Sequence, residues 1–477
     1  MSASFDPTLA PSPDSGHDGG ETRVGHGVAR GYWPMVFLVV IVISGMAFSL
    51  LWNQLFYHSP FWITPGDLWN TYREAQYVTW GGEGQLYNNP AYFQTLPGIA
   101  IVLAPVAWLA DALHLSESFS VTLARPTSWW LLGPVQLGLA ATLLFPLDKL
   151  ARLWHIPSRR RIVLLAVESA LIWPSVVFWG HPEDALSVTL ALYGLLAVVD
   201  QRWLRFATLF GLATLMQPLV LLALPVCLVY VARRHWVATL AVIGLPALLA
   251  LLAPLLQEWG PTWQRLTHQP NFFRHNHPTP WAALSPVITP DRVVLVHSLT
   301  SRRLASGQWR FIEVTTRVHT LPVVSAGPGR ILALVAACCC GLIAARYART
   351  LTHIVWFAAL ALALRCVFEP VMVPYYLLPA LALAVLAAST RPRHVFGIVV
   401  LGAGLSWYVS SRHLGEWTYY LTLMSVLLVT LVVARPNGVF SRPSPSVATI
   451  RARTLDEDAA KATSLGAPPP GDGRAAQ

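Results

Sequence analysis

Long apolar runs recur between residues 34 and 434, and they decide what this chain can fold into. About twelve are present: 34–56, 97–113, 128–147, 162–179, 185–199, 206–232, 236–256, 329–345, 351–368, 375–390, 395–409 and 417–434. Many approach the length needed to cross a hydrocarbon layer of ~30 Å as a helix. Backbone polar groups in lipid must be satisfied within the segment, so the runs are read as helices. Composition agrees: 55% of the 477 residues are hydrophobic and only 12% are charged. Soluble domains carry roughly twice that charge. The chain is therefore expected to be an all-α integral membrane protein with about 11–13 membrane segments. The first run has no small-residue cleavage site after it and is read as an uncleaved span.

Short basic loops stay cytoplasmic. The clearest is 148–161, with Lys149, Arg152 and Arg159 to Arg161. Arg202 and Arg205, Arg233 and Arg234, Arg346 and Arg349, and Arg391 and Arg393 mark others. This puts both termini inside a plasma membrane. Residues 1–33 and 435–477 are rich in Pro, Gly, Ser and Ala and are expected to be disordered tails. Between them lie a membrane module at 34–256 with an outer loop at 57–96, a large outer loop at 257–328, and C-terminal membrane helices at 329–434. If the loops at 67 and 181 are both outside, 97–113 cannot be an ordinary crossing. Segment 206–232 has arginines near both ends and Gln217-Pro218 in its middle. It is expected to be a hairpin of two half-helices.

The net charge is +10, and only two of the 33 basic residues are lysines. Arginine's planar fork suits phosphate; a GC-rich genome explains the same bias. No nucleic-acid partner is expected. The five cysteines all lie in or beside apolar runs, so neither a disulfide framework nor a zinc site is expected.

Four polar clusters fall on the expected outer face. Asp67 follows Pro65-Gly66 and can open a short helix running to about Trp80, with Trp69, Tyr72 and Trp80 on one side. An Asp there is either an N-cap or a base. His181, Glu183 and Asp184 open another helix. Acids in a first turn are favoured by its dipole; the functional alternative is that they bind sugar hydroxyls or hold a divalent ion. The segment 271–281 carries Arg274, His275, His277 and Trp281, types that suit phosphate or sugar. His275 and His277 point to the same side of an extended segment, but no nearby carboxylate completes a metal site. Last, Arg365 and Glu369 are spaced to pair across one helical turn. Otherwise Arg365 meets a lipid phosphate, with Tyr375 or Tyr376 lining the groove beside it.

The order of these motifs carries a resemblance. It comprises the first span, Asp67 with Tyr72 five residues on, Gly84-Gln-Leu-Tyr87, Tyr92-Phe-Gln-Thr-Leu-Pro97, Gly180-His-Pro-Glu-Asp184 and Gly211-Leu-Ala-Thr-Leu-Met-Gln217-Pro218. In that order the chain resembles the GT-C class of polytopic glycosyltransferases, most nearly the actinobacterial polyprenyl-phosphate-mannose-dependent mannosyltransferases. Gln217 stands where those enzymes usually have lysine, and His181 to Asp184 replace their usual Gly-Gln.

The resemblance implies a GT-C fold and an inverting sugar transfer on the outer face, with mannose or arabinose as the sugar. The donor would be a polyprenyl-phosphate sugar, the acceptor an envelope glycolipid or polysaccharide, and Asp67 the base. No cofactor is implied. The rival readings are a lipid or small-molecule transporter and a non-catalytic scaffold of envelope synthesis.

Overall fold

The computed structural model describes residues 31–57, 66–87, 96–115, 129–272, 277–289, 292–303, 309–320, 322–412 and 414–440. At 52–57, at 66–70 and along the two longest strands it describes the backbone alone. The helices are α1 (Trp33–Tyr57), α2 (Gly66–Thr79), α3 (Gly98–Ala112), α4 (Trp129–Ala141), α5 (Leu144–Leu153), α6 (Ser158–Val177), α7 (Pro182–Val199) and α8 (Trp203–Met216). They continue with α9 (Leu224–Cys227), α10 (Trp236–Gln257), α11 (Trp259–Thr267), α12 (Gly329–Tyr347), α13 (Leu351–Phe368), α14 (Leu378–Ala388), α15 (Arg393–Ser410) and α16 (Glu416–Val433). Among the described residues, six helical stretches are long and apolar enough to cross a membrane, α4 and α5 counting as one of them. The fold is that of a predominantly helical membrane protein.

α13 and α14 form the centre. All of α14 and two thirds of α13 are buried, whereas α10, α12 and α16 turn many leucines, isoleucines and valines outward. Such rims are the natural boundary with lipid, where an exposed apolar side chain costs nothing. Arg160 Nη1 donates to the carbonyls of Ser389 and Arg391, at 2.9 and 2.7 Å, tying the start of α6 to the end of α14. The rings of Trp203 and His235 stack at 4.8 Å. The stretch between them therefore leaves and returns at one end of the bundle. It climbs as α8, breaks at Gln217-Pro218 and descends through 3-10 turns and α9. Proline supplies no N–H there, so the helix cannot run on.

One helix boundary and one helix face differ from the sequence expectation. The basic loop expected at 148–161 begins inside a helix, since α5 runs to Leu153. Asp148 is fully buried and pairs with Arg161 Nε at 2.8 Å and Arg152 Nε at 3.1 Å, so it balances part of the loop's positive charge within the fold. The apolar stretch 97–113, as α3, packs antiparallel on α2. Gln76 Nε2 donates to Asp111 Oδ1 at 2.9 Å and Thr79 Oγ1 to the Ala104 carbonyl at 3.1 Å. This separates Tyr72, 1% exposed, from Trp80, 64% exposed. The two were expected on one face; α3 covers the Tyr72 side, and Tyr72 packs with Ile99, Leu103 and Ala107.

The large loop holds strands that apolar-run reading does not register. β1 (Asn271–Phe272), β2 (His277–Pro278), β3 (Val287–Thr289), β4 (Arg292–Arg303), β5 (Trp309–Thr320) and β6 (Val323–Val324) lie before α12, and β7 (Val371–Met372) follows α13. β4 and β5 form a long antiparallel hairpin, Arg292 opposite Thr320 and Arg303 opposite Trp309. Order β1-β6-β3 makes a small sheet, and β2 pairs with β7.

Candidate functional site

α6 ends at Val177, and the chain reverses through Gly180, whose φ of +73° is left-handed. Glycine takes that conformation without steric cost. Pro182 then starts α7, with Glu183 and Asp184 in its first turn. The dipole alone makes such acids favourable by ~0.3–1 kcal/mol each at an exposed end. Here both are buried, Glu183 at 2% and Asp184 at 0% exposure. Burying a charge costs several kcal/mol unless partners compensate. Helix capping is therefore too weak to explain the arrangement, and the partners matter.

Asp184 Oδ1 accepts from Arg365 Nη1 and from Gln217 Nε2, both at 3.1 Å. Three elements thus meet at one carboxylate oxygen: the start of α7, the break after α8 and the end of α13. Arg365 lies over the Tyr376 ring, 3.3 Å from its centroid. His181 Nδ1 makes a short contact with Glu183 Oε1. The His181 ring stacks on Tyr375 at 3.9 Å. Tyr375 and Tyr376 sit in a 3-10 turn, Pro374–Leu377, that enters α14. Beside Asp184, Gln217, Arg365 and Tyr376 lies a cavity of about 10 Å³. That is room for one water.

Arg365 and Glu369, spaced to pair, do not pair. Asp184 takes Arg365, and Glu369 accepts from Arg330 Nη2 at 2.7 Å. α13 ends at Phe368, so Glu369 lies outside the helical turn the pairing would need. The loop segment after β1 is clipped to the same place. Thr279 donates to the Glu369 and Pro370 carbonyls, through Oγ1 at 2.7 Å and N at 2.9 Å. His277 is buried, opposite Met372, with its ring on Tyr419 at 4.1 Å. Trp281 Nε1 donates to the Tyr420 hydroxyl at 3.3 Å. Arg274 and His275 lie outside the described residues.

Among the candidates, His181, Glu183, Asp184, Arg365, Tyr375 and Tyr376 thus form one cluster, with Glu369, His277 and Trp281 at its edge. Asp67 and Tyr72 are elsewhere. The Leu96–Gly98 end of α3 packs on Leu215 and Met216, next to Gln217. α2 runs antiparallel to α3, so Asp67, in its first turn, stands toward the opposite end. Its side chain lies outside the described residues. Glu74 stands about two turns nearer the cluster. It is fully buried, and neither of its oxygens has a partner among the described residues. Burial pushes its carboxyl up to about 8, with Arg73 pulling the other way. The same burial, reinforced by Glu74, raises the Tyr87 hydroxyl.

Three residues of this assembly carry weak sequence signals. Gln217 stands out only beside Pro218, Arg330 is a single charge opening an apolar run, and Glu74 is one acid in a polar helix. Among the described residues, the set that can hold a metal is His181, Glu183 and Asp184. One ligand atom from each lies within 4.8 Å of the others. No protein-family model matches the chain, and no curated protein sequence matches it.

Proposed function

We propose that this chain is a GT-C-like membrane glycosyltransferase. It moves a mannose-like sugar from a polyprenyl-phosphate donor to an envelope glycolipid or polysaccharide hydroxyl on the outer face of the plasma membrane. The observation that carries the reading is the buried Asp184–Arg365–Gln217 junction at the end of the bundle away from the short arginine-rich loops. Arg365 is held by a carboxylate and a ring, so its guanidinium is positioned before any ligand arrives. Its Nε has no hydrogen-bond partner among the described residues, and a preorganised donor is what a departing phosphate needs.

Inverting transfer needs one base for the acceptor hydroxyl. In this proposal it is a carboxylate of α2. Asp67 is the one the resemblance singles out. Glu74 is a second reading, favoured by its unpartnered burial nearer the cluster and by a pKa suited to taking a proton near neutrality. The purified chain in lipid, given radiolabelled polyprenyl-phosphate mannose and an envelope lipid extract, separates them. Asp67→Asn is expected to lower transfer by ~100-fold or more, with Glu74→Gln much closer to wild type. Loss in Glu74→Gln alone moves the base to Glu74. No transfer from mannosyl or arabinosyl donors by the wild type ends the transferase reading and favours transport.

A further inference from the structure

We propose that His181, Glu183 and Asp184 form a binding site for a divalent first-row cation at the start of α7. The inference needs no assumption about sugar transfer. It begins with charge. Glu183 and Asp184 bring two carboxylates into a buried place, and among the described residues Arg365 is the guanidinium that pairs there, with Asp184. Arg330 is taken by Glu369. With His181 neutral, one negative charge is left over among the described residues, and buried charge without a counter-charge is expensive.

The second observation concerns the oxygens. Arg365 and Gln217 both use Asp184 Oδ1, and His181 uses Glu183 Oε1. Asp184 Oδ2 and Glu183 Oε2 are buried with no partner among the described residues. Each carboxylate is therefore anchored through one oxygen and keeps the other for a ligand. One ligand atom each from His181, Glu183 and Asp184 lies within 4.8 Å of the others. Donors at ~2.0–2.2 Å from one ion lie at most ~4.4 Å apart, so small side-chain rotations that draw the three together complete the site.

The surroundings are those that hold metal ligands in place. Gln217 and Arg365 orient the Asp184 carboxylate, and Tyr375 fixes the plane of the His181 ring. One imidazole with two carboxylates suits Mn²⁺ or Zn²⁺ better than soft ions. When the cation binds, it replaces the hydrogen bond between His181 and Glu183, and any proton held there is released. The competing arrangement is an imidazolium at His181 that supplies the missing charge and leaves no room for a metal.

The test uses the full chain in nanodiscs, stripped with chelator, with no substrate present. Mn²⁺ is titrated in, and the electron-paramagnetic-resonance signal of free Mn²⁺ is read. One Mn²⁺ per chain is expected, displaced by Zn²⁺. Glu183→Gln and His181→Ala each are expected to weaken binding by more than ~10-fold. Asp200→Asn, an exposed acid at the far end of α7, is expected to leave it unchanged. Two variants guard against a folding defect in one, and each is accepted only if its unfolding midpoint stays near wild type. Absence of saturable binding of Mn²⁺ and Zn²⁺, or binding that survives both ligand substitutions, overturns the site. Because the readout is occupancy, the result stands whether or not the chain transfers sugar.

Discussion

Asp184 shows how much of this protein rests on single buried charges. Arg365→Ala leaves its carboxylate uncompensated and is expected to cost about 3–5 kcal/mol. Gln217→Leu removes a hydrogen bond to a charged group and should cost about 1.5–3 kcal/mol. Denaturant unfolding of the two variants checks the order. Glu74 gives a separate, pH-dependent prediction. Its folded pKa of about 8 lies above the ordinary 4.5, so the folded state holds the proton more tightly. That stabilisation is fully present below pH 4.5 and declines as pH rises to about 8. Its full size is roughly 4–5 kcal/mol. The thermal midpoint should therefore fall between pH 5 and 8 in wild type and fall less in Glu74→Gln. Equal slopes in the two would remove Glu74 as the cause.

At the level of elements, the joint between the α2–α3 pair and the bundle is set by Gly98. A Cβ there would run into the Leu215 carbonyl, backbone that cannot step aside. Gly98→Ala should cost about 1–3 kcal/mol and speed amide exchange at the start of α3, leaving α13 protected. Unchanged exchange at 98–104 would mean the two elements are not tightly joined. The broken helix was readable from Gln217-Pro218 because proline's missing donor is a local property. The β4–β5 hairpin was not, although Val293, Val294, Val296, Val314 and Val318 favour strands. Strand pairing joins two distant segments, and a search for long apolar runs passes over it. Tyr72 was read on the wrong face because periodicity says which residues share a side, never which neighbour will cover that side.

For the whole molecule, the orientation proposed above predicts labelling. In a variant lacking the native cysteines, Trp80→Cys and Leu414→Cys should react with a membrane-impermeant thiol reagent added to intact cells, and Asp200→Cys should not. All three positions are exposed, so protection reports the membrane side; the reverse pattern would invert the topology. The helical class and the presence of long apolar helices were legible in the chain. Each depends on transfer of a contiguous segment between water and hydrocarbon, an energy that sums residue by residue. The candidate residues were legible as types: His181, Glu183, Asp184 and Arg365 all stand out as polar groups among apolar neighbours. Their partnerships were not. Arg365 had Glu369 four positions away and pairs with Asp184, 181 positions away, because the helix ends at Phe368 and Glu369, beyond it, is taken by Arg330. Which charges meet depends on where α7, α8 and α13 cross, and that is a property of packing alone.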